Sequence, residues 1–223
     1  MVYWGERGDG VKDFPIFDTE FGIASLILAE VPYREEAYIH IRDALQPEEL
    51  LKECVSFCRM VGAERVYACG HECLEGYPVQ GEIWEMRGQA NPDPELVECL
   101  WPVTEQTVGQ WRQMMNERMA GVDNAGTLDS KKEKEILSSG GAYFVHRAGE
   151  LLGGFWLHDG EIKLVAAVKS GAGTRVMHTL MSLIPGEEIR LEVISTNGKA
   201  LCLYEKLGFI KTAPIHKWYR VHP

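Results

Sequence analysis

The sequence predicts an α/β protein in which helices flank a mixed sheet, and two observations carry this prediction. Strand-like runs that can pair antiparallel come first, and a strand, helix, strand, helix, strand order follows towards the C-terminus. This order is typical of mixed sheets, because a crossover helix joins parallel strands. A chain of 223 residues with 45% hydrophobic side chains is also long enough to bury a substantial core.

The segment QANPDPE (89–95) is the best candidate for a domain boundary. It contains two prolines, and its Asn-Pro step separates the periodic segments on either side. We therefore expect a small α/β unit over residues 1–90 and a larger one over residues 91–223.

The first unit contains strands around one helix. Residues 47–62 have apolar side chains at helical spacing and end at Gly62, which is a typical stop signal. Strand-like runs are found at 21–31, 37–45, 64–69 and 81–86.

The second unit begins with a strand and two helices and then alternates. The strand is 97–103, and the helical stretches are 104–121 and 129–140. Glycine-containing turns divide the next three strand-like runs, which are 142–149, 150–160 and 161–169. The remaining elements are a helix at 174–184 stopped by Pro185 and Gly186, a strand at 188–195, a helix at 198–208 and a strand at 216–221.

Charge and hydropathy exclude several partners. The formal charge is -10, whereas a nucleic-acid surface needs a concentrated basic face. No apolar run approaches the roughly 20 residues of a membrane helix, and the start MVYWGERGDG lacks a signal pattern. We expect a cytoplasmic protein with neither a nucleic-acid nor a membrane partner.

The six cysteines are expected to be reduced, because the chain is too large to depend on disulfides and lacks a secretion signal. Cys54 and Cys58 lie four residues apart beside apolar positions, which suits small buried thiols. A zinc module built from these two with Cys69 and Cys73 is an alternative that predicts stoichiometric metal. We expect no metal.

The stretch VKSGAGTR (168–175) joins a strand to a helix. Gly171 and Gly173 allow a ligand close to the backbone, and unpaired amides and the helix dipole point towards it. Lys169 and Arg175 add positive charge. The stretch therefore fits a pyrophosphate cradle, and a tight strand-to-helix turn is the alternative; its glycine spacing matches neither a Walker loop nor a dinucleotide fingerprint.

The stretch NGKALCLYEKLGF (197–209) contains a helix that Gly208 ends. Its aliphatic side chains share one face, as expected for core packing. Asn197 and Tyr204 have ordinary structural roles open to them, as an N-cap and as an amphipathic core residue.

The same stretch has the pattern N-x-x-A-x-x-L-Y-x-K-x-G-F, which closely resembles the last conserved motif of the GNAT superfamily of acetyl-CoA-dependent N-acetyltransferases. The Gly-Ala-Gly loop upstream lies where that family has its pyrophosphate loop. The element order from residue 95 onward also resembles the family fold, so the resemblance covers more than half of the chain.

The resemblance implies direct transfer of an acetyl group from acetyl-CoA to a primary amine in a ternary complex. Pantetheine would lie along the end of the 161–168 strand. Tyr204 would protonate the departing thiolate, since a phenol with a pKa of about 10 is protonated at neutral pH. Asn197 would bind the cofactor arm or a water. The implied cofactor-binding residues are Val168, Lys169, Gly171, Ala172, Gly173, Thr174, Arg175, Asn197 and Tyr204.

An amine nucleophile also requires a base, because a primary amine with a pKa of about 10 is mostly charged at neutral pH. Glu161 matches the position of the catalytic Glu in histone-type members of the family. A solvent-facing carboxylate at a hairpin is the alternative for Glu161. His158, Asp159 and Glu192 are the reserve candidates.

One position departs from the family pattern. Val168 stands where Arg or Gln is usual, and Lys169 is the nearest compensating charge. In the first unit the corresponding loop ALQPEEL (44–50) has no glycine, and its proline and carboxylates disfavour phosphate. We expect the first unit to be a degenerate GNAT-like half that is structural or shapes the substrate cleft.

The alternative function is a non-catalytic acyl-CoA-binding or interaction domain. For an enzyme, the acceptor is expected to be a small-molecule or peptide amine, and the acidity of the chain favours a cationic one. Edge strands such as 216–221 can pair between subunits, so a homodimer is one expected assembly.

Overall fold

The computed structural model describes residues 16–222, which divide by their contacts into two compact units. One unit comprises residues 84–213, and the other comprises residues up to 83 together with the C-terminal segment from 214. The strands Val79–Gln89 and Ile210–His222 each have residues in both units. The division into domains at residues 90 and 91 stays a prediction.

The unit that ends at residue 83 contains strands, one long helix and two short helical turns. Its elements are β1 (Ile16–Thr19), β2 (Gly22–Ile27), α1 (Val31–Arg34), β3 (Glu36–Ala44), α2 (Pro47–Met60), β4 (Arg65–Cys69), a 3-10 helix (Glu72–Gly76) and the start of β5 (Val79–Gln89). The strand order is β1-β2-β3-β4, followed by the C-terminal strand β11 (Ile210–His222). β3 and β4 are parallel, with α2 as their crossover helix.

The core of this unit lies between α2 and one face of its strands. Leu50, Leu51, Cys54 and Cys58 are the buried residues of α2, and they pack against strand residues such as Ile39. Cys54 and Cys58 are both 0% exposed, so the packing predicted for these thiols is confirmed. Burial raises the pKa of each thiol to about 12.

The unit 84–213 contains the longer run of elements. After the rest of β5 come a 3-10 helix (Pro94–Leu96), β6 (Cys99–Pro102), α3 (Val108–Met119), α4 (Ser130–Ser139), β7 (Ala142–Arg147), β8 (Glu150–His158), β9 (Glu161–Ala167), α5 (Gly173–Met181), β10 (Glu188–Ile194), α6 (Gly198–Lys206) and the start of β11. The strand order is β11-β5-β10-β9-β8-β7-β6. β6 to β9 form an antiparallel meander, and β9 pairs parallel with β10.

Two separate apolar clusters flank the strands of this unit. α5 and α6 contribute Val176, Leu180 and Tyr204 to one cluster, and α3 and α4 contribute Trp111 and Ile136 to the other. Adjacent residues of β8 divide between the two clusters, as expected for a strand that is buried on both faces. The predicted α/β class, a mixed sheet flanked by helices, is confirmed.

Most predicted elements are confirmed, and the exceptions are short or interrupted. The helix predicted at 129–140 has Asp129 as its N-cap, which accepts from the amide of Lys132, and Gly140 follows with φ 64°. β1, α1 and the 3-10 helices were not predicted, because runs of three to five residues show no periodicity. β11 begins at Ile210 rather than 216. No described helix is long and apolar enough to cross a membrane.

Candidate functional site

β9 and β10 run side by side for only two residue pairs. Glu161 pairs with Arg190 and Ile162 with Leu191, whereas the parallel strands β3 and β4 stay paired over residues 36–40. Across the residues that the structure describes, β9 and β10 then part although both strands continue. Backbone groups that face such a gap are available to an extended ligand, as they are at a sheet edge.

A β-bulge lies where the two strands part. The pairing of β8 with β9 steps from Leu157 opposite Ile162 to Trp156 opposite Leu164, which leaves Lys163 as the extra residue of β9. A bulge bends its strand and increases the local twist. β9 therefore changes direction directly after its last residue paired with β10.

The loop after β9 leads into the N-terminus of α5. Gly171 has φ +83°, and a side chain there would meet no atom within 4 Å. The amide of Ala172 donates to the carbonyl of Lys169, and the first intrahelical bond runs from Val176 to Ala172. The amides of Gly173, Thr174 and Arg175 therefore have no acceptor within the helix. The first turn of α5 also has no acidic side chain.

The cationic side chains of this loop already have partners. Lys169 Nζ lies 2.8 Å from Glu150 Oε2 in an exposed pair, which is weak enough to exchange. The Arg175 guanidinium donates to the Glu98 carboxylate, of which only 9% is exposed. Val168 packs against the α3–α4 cluster. An anion at this loop would therefore be bound mainly by backbone amides.

α6 holds Asn197 and Tyr204 on one face. Asn197 is the N-cap, and its Oδ1 accepts from the amide of Ala200 at 3.2 Å, which leaves its Nδ2 donor to meet a ligand. Tyr204 is 8% exposed, its ring centroid lies 6.0 Å from that of Phe209, and burial raises the pKa of its phenol to about 12. Both residues therefore have the ordinary roles that the sequence left open.

The loop and α6 lie next to each other. A Cβ at Gly173 would approach Leu203 Cδ2, on the residue before Tyr204, to 3.1 Å. The far end of α6 is held by Phe209, whose ring would be 2.8 Å from a Cβ at Gly88 of β5. The structure thus brings together the Gly-rich loop and the Tyr204 helix, which the sequence predicted as separate parts of one site.

Glu161 lies at the paired end of β9 rather than beside the loop. Arg190 donates from Nε and Nη2 to Glu161 Oε2, at 3.2 Å each, and Lys163 Nζ lies 2.8 Å from Oε1. The seven residues of β9, at roughly 3.3 Å each, separate it from the loop. The side chain is 13% exposed, so it is not the solvent-facing carboxylate of the alternative interpretation.

The reserve candidates are placed differently. His158 and Asp159 lie at the exposed β8–β9 turn, where their side chains are 3.5 Å apart and 44% and 82% exposed. Glu192 lies two residues after Arg190 on β10 and is partly buried. Glu192 therefore lies beyond the last residue of β10 that pairs with β9, at the gap.

The corresponding helix of the other unit has an N-terminus of opposite character. α2 begins with Pro47 and carries Glu48 and Glu49 in its first turn. These carboxylates suit the positive end of the helix dipole but repel phosphate, and the proline has no amide to donate. The prediction that this unit lacks an anion loop agrees with this geometry.

Sequence reasoning missed the partners that hold the site residues. Glu98 binds Arg175, and Arg190 binds Glu161. Each pair joins residues that are far apart in the sequence, so spacing along the chain could not reveal it. The bulge at Lys163 was also missed, because alternation in the EIKLVAAV run suggests a regular strand.

Comparison with known proteins finds likeness in structure only. No protein-family model matches the sequence, and no curated protein matches it.

Several solved structures match over most of the chain. A GCN5-related N-acetyltransferase from Sphaerobacter thermophilus has 14% identity and a TM-score of 0.52, covering 90% of this chain and 77% of that one. A GNAT-family acetyltransferase from Colwellia psychrerythraea has 13% identity and a TM-score of 0.52, with 90% and 81% covered. A functionally unknown conserved protein from Staphylococcus epidermidis has 12% identity and a TM-score of 0.57, with 93% of both chains covered. At these identities the likeness shows the fold alone, and it bears out the fold predicted from the motif at residues 197–209.

Proposed function

We propose that this chain, which has the GNAT fold, is an N-acetyltransferase that moves an acetyl group from acetyl-CoA to a primary amine. The observation that carries the proposal is the parting of β9 and β10 after Ile162 and Leu191, followed by the amide-lined N-terminus of α5. The parallel pair β3–β4 has no such gap over its five residue pairs.

The residues at the gap suit the parts of acetyl-CoA. The amides of Gly173, Thr174 and Arg175 can donate to a pyrophosphate, helped by the dipole of α5. Gly171 has open space around it, and the unpaired edge of β9 can bind pantetheine amides as a neighbouring strand would. We retain Lys169 as the compensating charge for Val168, because its exposed bond to Glu150 can exchange.

Tyr204 is the proposed general acid. Acetyl-CoA supplies its acetyl group as a thioester; when the amine attacks the carbonyl, a C–N bond forms and the C–S bond breaks. As the C–S bond breaks, Tyr204 donates its phenolic proton to the departing sulfur, and the attacking nitrogen loses its proton through water to Glu161. Burial raises the pKa of the phenol to about 12, so Tyr204 is protonated at neutral pH and regains its proton from solvent after the transfer. Asn197 Nδ2 would hold the cofactor arm or an ordered water.

Glu161 is the proposed base, acting through water. Its carboxylate is oriented by Arg190 and Lys163, and a water chain would carry the proton from the amine to it. The two cations also disfavour a third positive charge nearby, which favours the neutral, nucleophilic form of the amine. Glu192 is the alternative base, because it lies on β10 at the gap.

A non-catalytic acyl-CoA-binding domain is the second candidate function. It is favoured by the pairing of Glu161 with two cations, since this pairing occupies the carboxylate that catalysis would use. Such a domain would bind acetyl-CoA without turnover. The acceptor amine remains a proposal at the level of its class, a cationic small molecule or peptide.

The first experiment is a thermal melt with and without excess acetyl-CoA. At about 100 times its dissociation constant, a ligand stabilises the native state by roughly 2.7 kcal/mol, which raises the melting temperature by several degrees. Gly171→Asp should remove this shift, because a carboxylate at the loop repels the pyrophosphate. No shift in the parent chain at millimolar acetyl-CoA would refute the proposal and its alternative together.

Gly149→Asp is a matched control. Gly149 has φ +82°, and Gly171 has φ +83°; neither has an atom within 4 Å of an added Cβ. Asp tolerates this conformation better than most residues, so both variants should melt at similar temperatures without ligand. Only Gly149→Asp should keep the acetyl-CoA shift, and loss of the shift in both variants would contradict a site at the loop.

A further inference from the structure

Three side chains with metal-binding atoms meet in the unit that contains β1 to β4. They are His40 of β3, Cys69 of β4 and His216 of β11, and their ligand atoms all lie within 4.8 Å of one another. Cys69 is 1% exposed, and both histidines are partly buried. None of the three takes part in the proposed acetyl transfer.

The sheet register brings these residues together. His40 lies directly opposite Cys69 in the parallel pair, at the end of β4. β11 runs antiparallel to β4 with Tyr219 opposite Ala68, so His216 extends past the end of β4 on the face of Cys69. The carboxyl ends of parallel strands are common places for ligands in α/β sheets.

Gly70 keeps space open for one imidazole. It has φ +100°, and an added Cβ would lie 2.7 Å from Cδ2 and 3.2 Å from Nε2 of His40. The Nε2 edge of His40 therefore lies against the turn that directly follows Cys69. The imidazole of His40 is also close to that of His216, with ring centroids 5.2 Å apart.

The cluster differs from the cysteine module that sequence spacing suggested. Cys54 and Cys58 lie on α2 and are buried in the core cluster of this unit, which does not include Cys69. His71, the histidine nearest to Cys69 in the sequence, uses its Nδ1 to accept from the amide of Cys73 at 3.1 Å. The partners of Cys69 in the cluster are instead two histidines that are far from it in the sequence, on the neighbouring strands β3 and β11.

We propose that His40, Cys69 and His216 bind one Zn²⁺ ion, with a water in the fourth position. Two imidazoles and one thiolate are ligands that zinc prefers in tetrahedral sites, and three protein ligands leave one position open. Ligand atoms on a tetrahedral zinc ion lie about 3.3–3.6 Å apart. Side-chain rotations that move the ligand atoms by about 1 Å would therefore form the site.

The protonation states of the cluster suit this binding. Burial and the nearby Arg42 lower the pKa of His40 to about 4 and lower that of His216 as well. Both imidazoles are therefore neutral at neutral pH, which is the form that binds metal. Burial raises the pKa of the Cys69 thiol to about 12, so zinc binding displaces one proton from sulfur.

Within residues 16–222, the charge of Arg42 acts on all three side chains. Its Nε donates to Ser25 Oγ at 3.1 Å, which holds the guanidinium in place. The positive guanidinium repels a metal cation, but it also stabilises the negative thiolate of Cys69. Metal binding therefore depends on the thiolate, whose charge offsets that of Arg42.

The test is a titration of the metal-free, full-length chain with Co²⁺, followed by competition with Zn²⁺. Cobalt bound to a thiolate gives a charge-transfer band in the near ultraviolet. We expect this band to saturate at one equivalent, to disappear when Zn²⁺ is added, and to be absent from Cys69→Ser. His40→Gln and His216→Gln should each weaken cobalt binding at least tenfold.

Two controls keep the result specific to this cluster. Cys202→Ser changes an exposed cysteine, and His71→Gln changes the histidine next in sequence; both should keep the full band. Zinc should raise the melting temperature of the parent chain and of both controls but not of His216→Gln. The proposal is overturned if the parent chain gives no band, or if Cys69→Ser keeps it.

Discussion

Tyr204 offers the sharpest residue-scale prediction. Tyr204→Phe keeps the ring that packs against Phe209, so the acetyl-CoA melting shift should be unchanged. Turnover should fall by about 10²-fold or more, because the general acid is lost. Since a pKa of about 12 keeps Tyr204 protonated, its ionisation should not lower the wild-type rate between pH 8 and 10.

The measurement is a thiol-release assay over that pH range, with melts of both proteins beside it. Tyr204→Phe with wild-type turnover would exclude the phenol as the acid. An unchanged melting shift in a chain with no measurable turnover at all would instead favour the acyl-CoA-binding domain.

Glu161 leads to a second prediction, which separates a base from a structural ion pair. Glu161→Gln should lower turnover about 10²-fold or more, because the base is removed while the side chain keeps its size. Arg190→Gln breaks the same pair but leaves the carboxylate, so its turnover should stay within about tenfold. If both variants lose stability and turnover in parallel, Glu161 only holds β9 to β10.

Individual residues show how far the sequence could predict the site. The Asn197 N-cap and the Gly171 loop follow from local patterns, and both are present. The pairing of Arg175 with Glu98 and the meeting of His40 with His216 join distant segments. A local pattern gives the charge of a side chain but not its partner. Only the fold shows which cations are already ion-paired.

At the scale of elements, the buried thiols of α2 make the free energy of unfolding depend on pH. The pKa of Cys54 and of Cys58 is about 12 in the folded chain, compared with an ordinary value of 9.0. Between these values the unfolded chain loses thiol protons that the folded chain keeps, so the free energy of unfolding falls as pH rises. The slope reaches roughly 1.4 kcal/mol per pH unit for each thiol.

Urea unfolding at pH 8, 9 and 10 under reducing conditions measures this slope. The double variant Cys54→Ala, Cys58→Ala should have a flatter slope than the parent chain. Cys202→Ala is the control, because that thiol is exposed, and it should leave the slope unchanged. Equal slopes in all three proteins would show that the α2 thiols ionise as readily in the folded state.

Helices were predicted well, because their periodicity is local. Strand bounds and bulges were predicted less well, because they depend on pairing between strands. The helices follow from apolar spacing and the stop glycines. β11 is a single strand from Ile210 to His222, whereas the sequence suggested only its last part, since Pro214 lacks the amide of a regular strand. The bulge at Lys163 depends on the pairing of β9 with β8, which the sequence of β9 does not contain.

At the scale of the whole molecule, the chain returns to its first unit after building the second. Residues 214–222 belong with the unit that ends at residue 83, although the sequence suggested a simple division at 89–95. A boundary prediction uses composition and turn residues, and these cannot reveal that the last strand pairs with β4.

This division provides a whole-molecule prediction for two ligands. Acetyl-CoA should slow amide hydrogen exchange at residues 171–175 and along β9 and β10, because the α5 amides there lack intrahelical acceptors and exchange readily when no ligand is bound. Zinc should slow exchange around His40, Cys69 and His216. Hydrogen-exchange mass spectrometry with each ligand separately maps both sets of peptides.

The two variants already described make this experiment decisive. Gly171→Asp should abolish the acetyl-CoA effect and keep the zinc effect, and Cys69→Ser should do the reverse. Each result follows because one substitution changes only the loop before α5 and the other only the end of β4. If Cys69→Ser also removed the acetyl-CoA effect, the cysteine would be needed for the fold of the proposed acetyl-CoA site itself, and an independent zinc site would be the wrong interpretation.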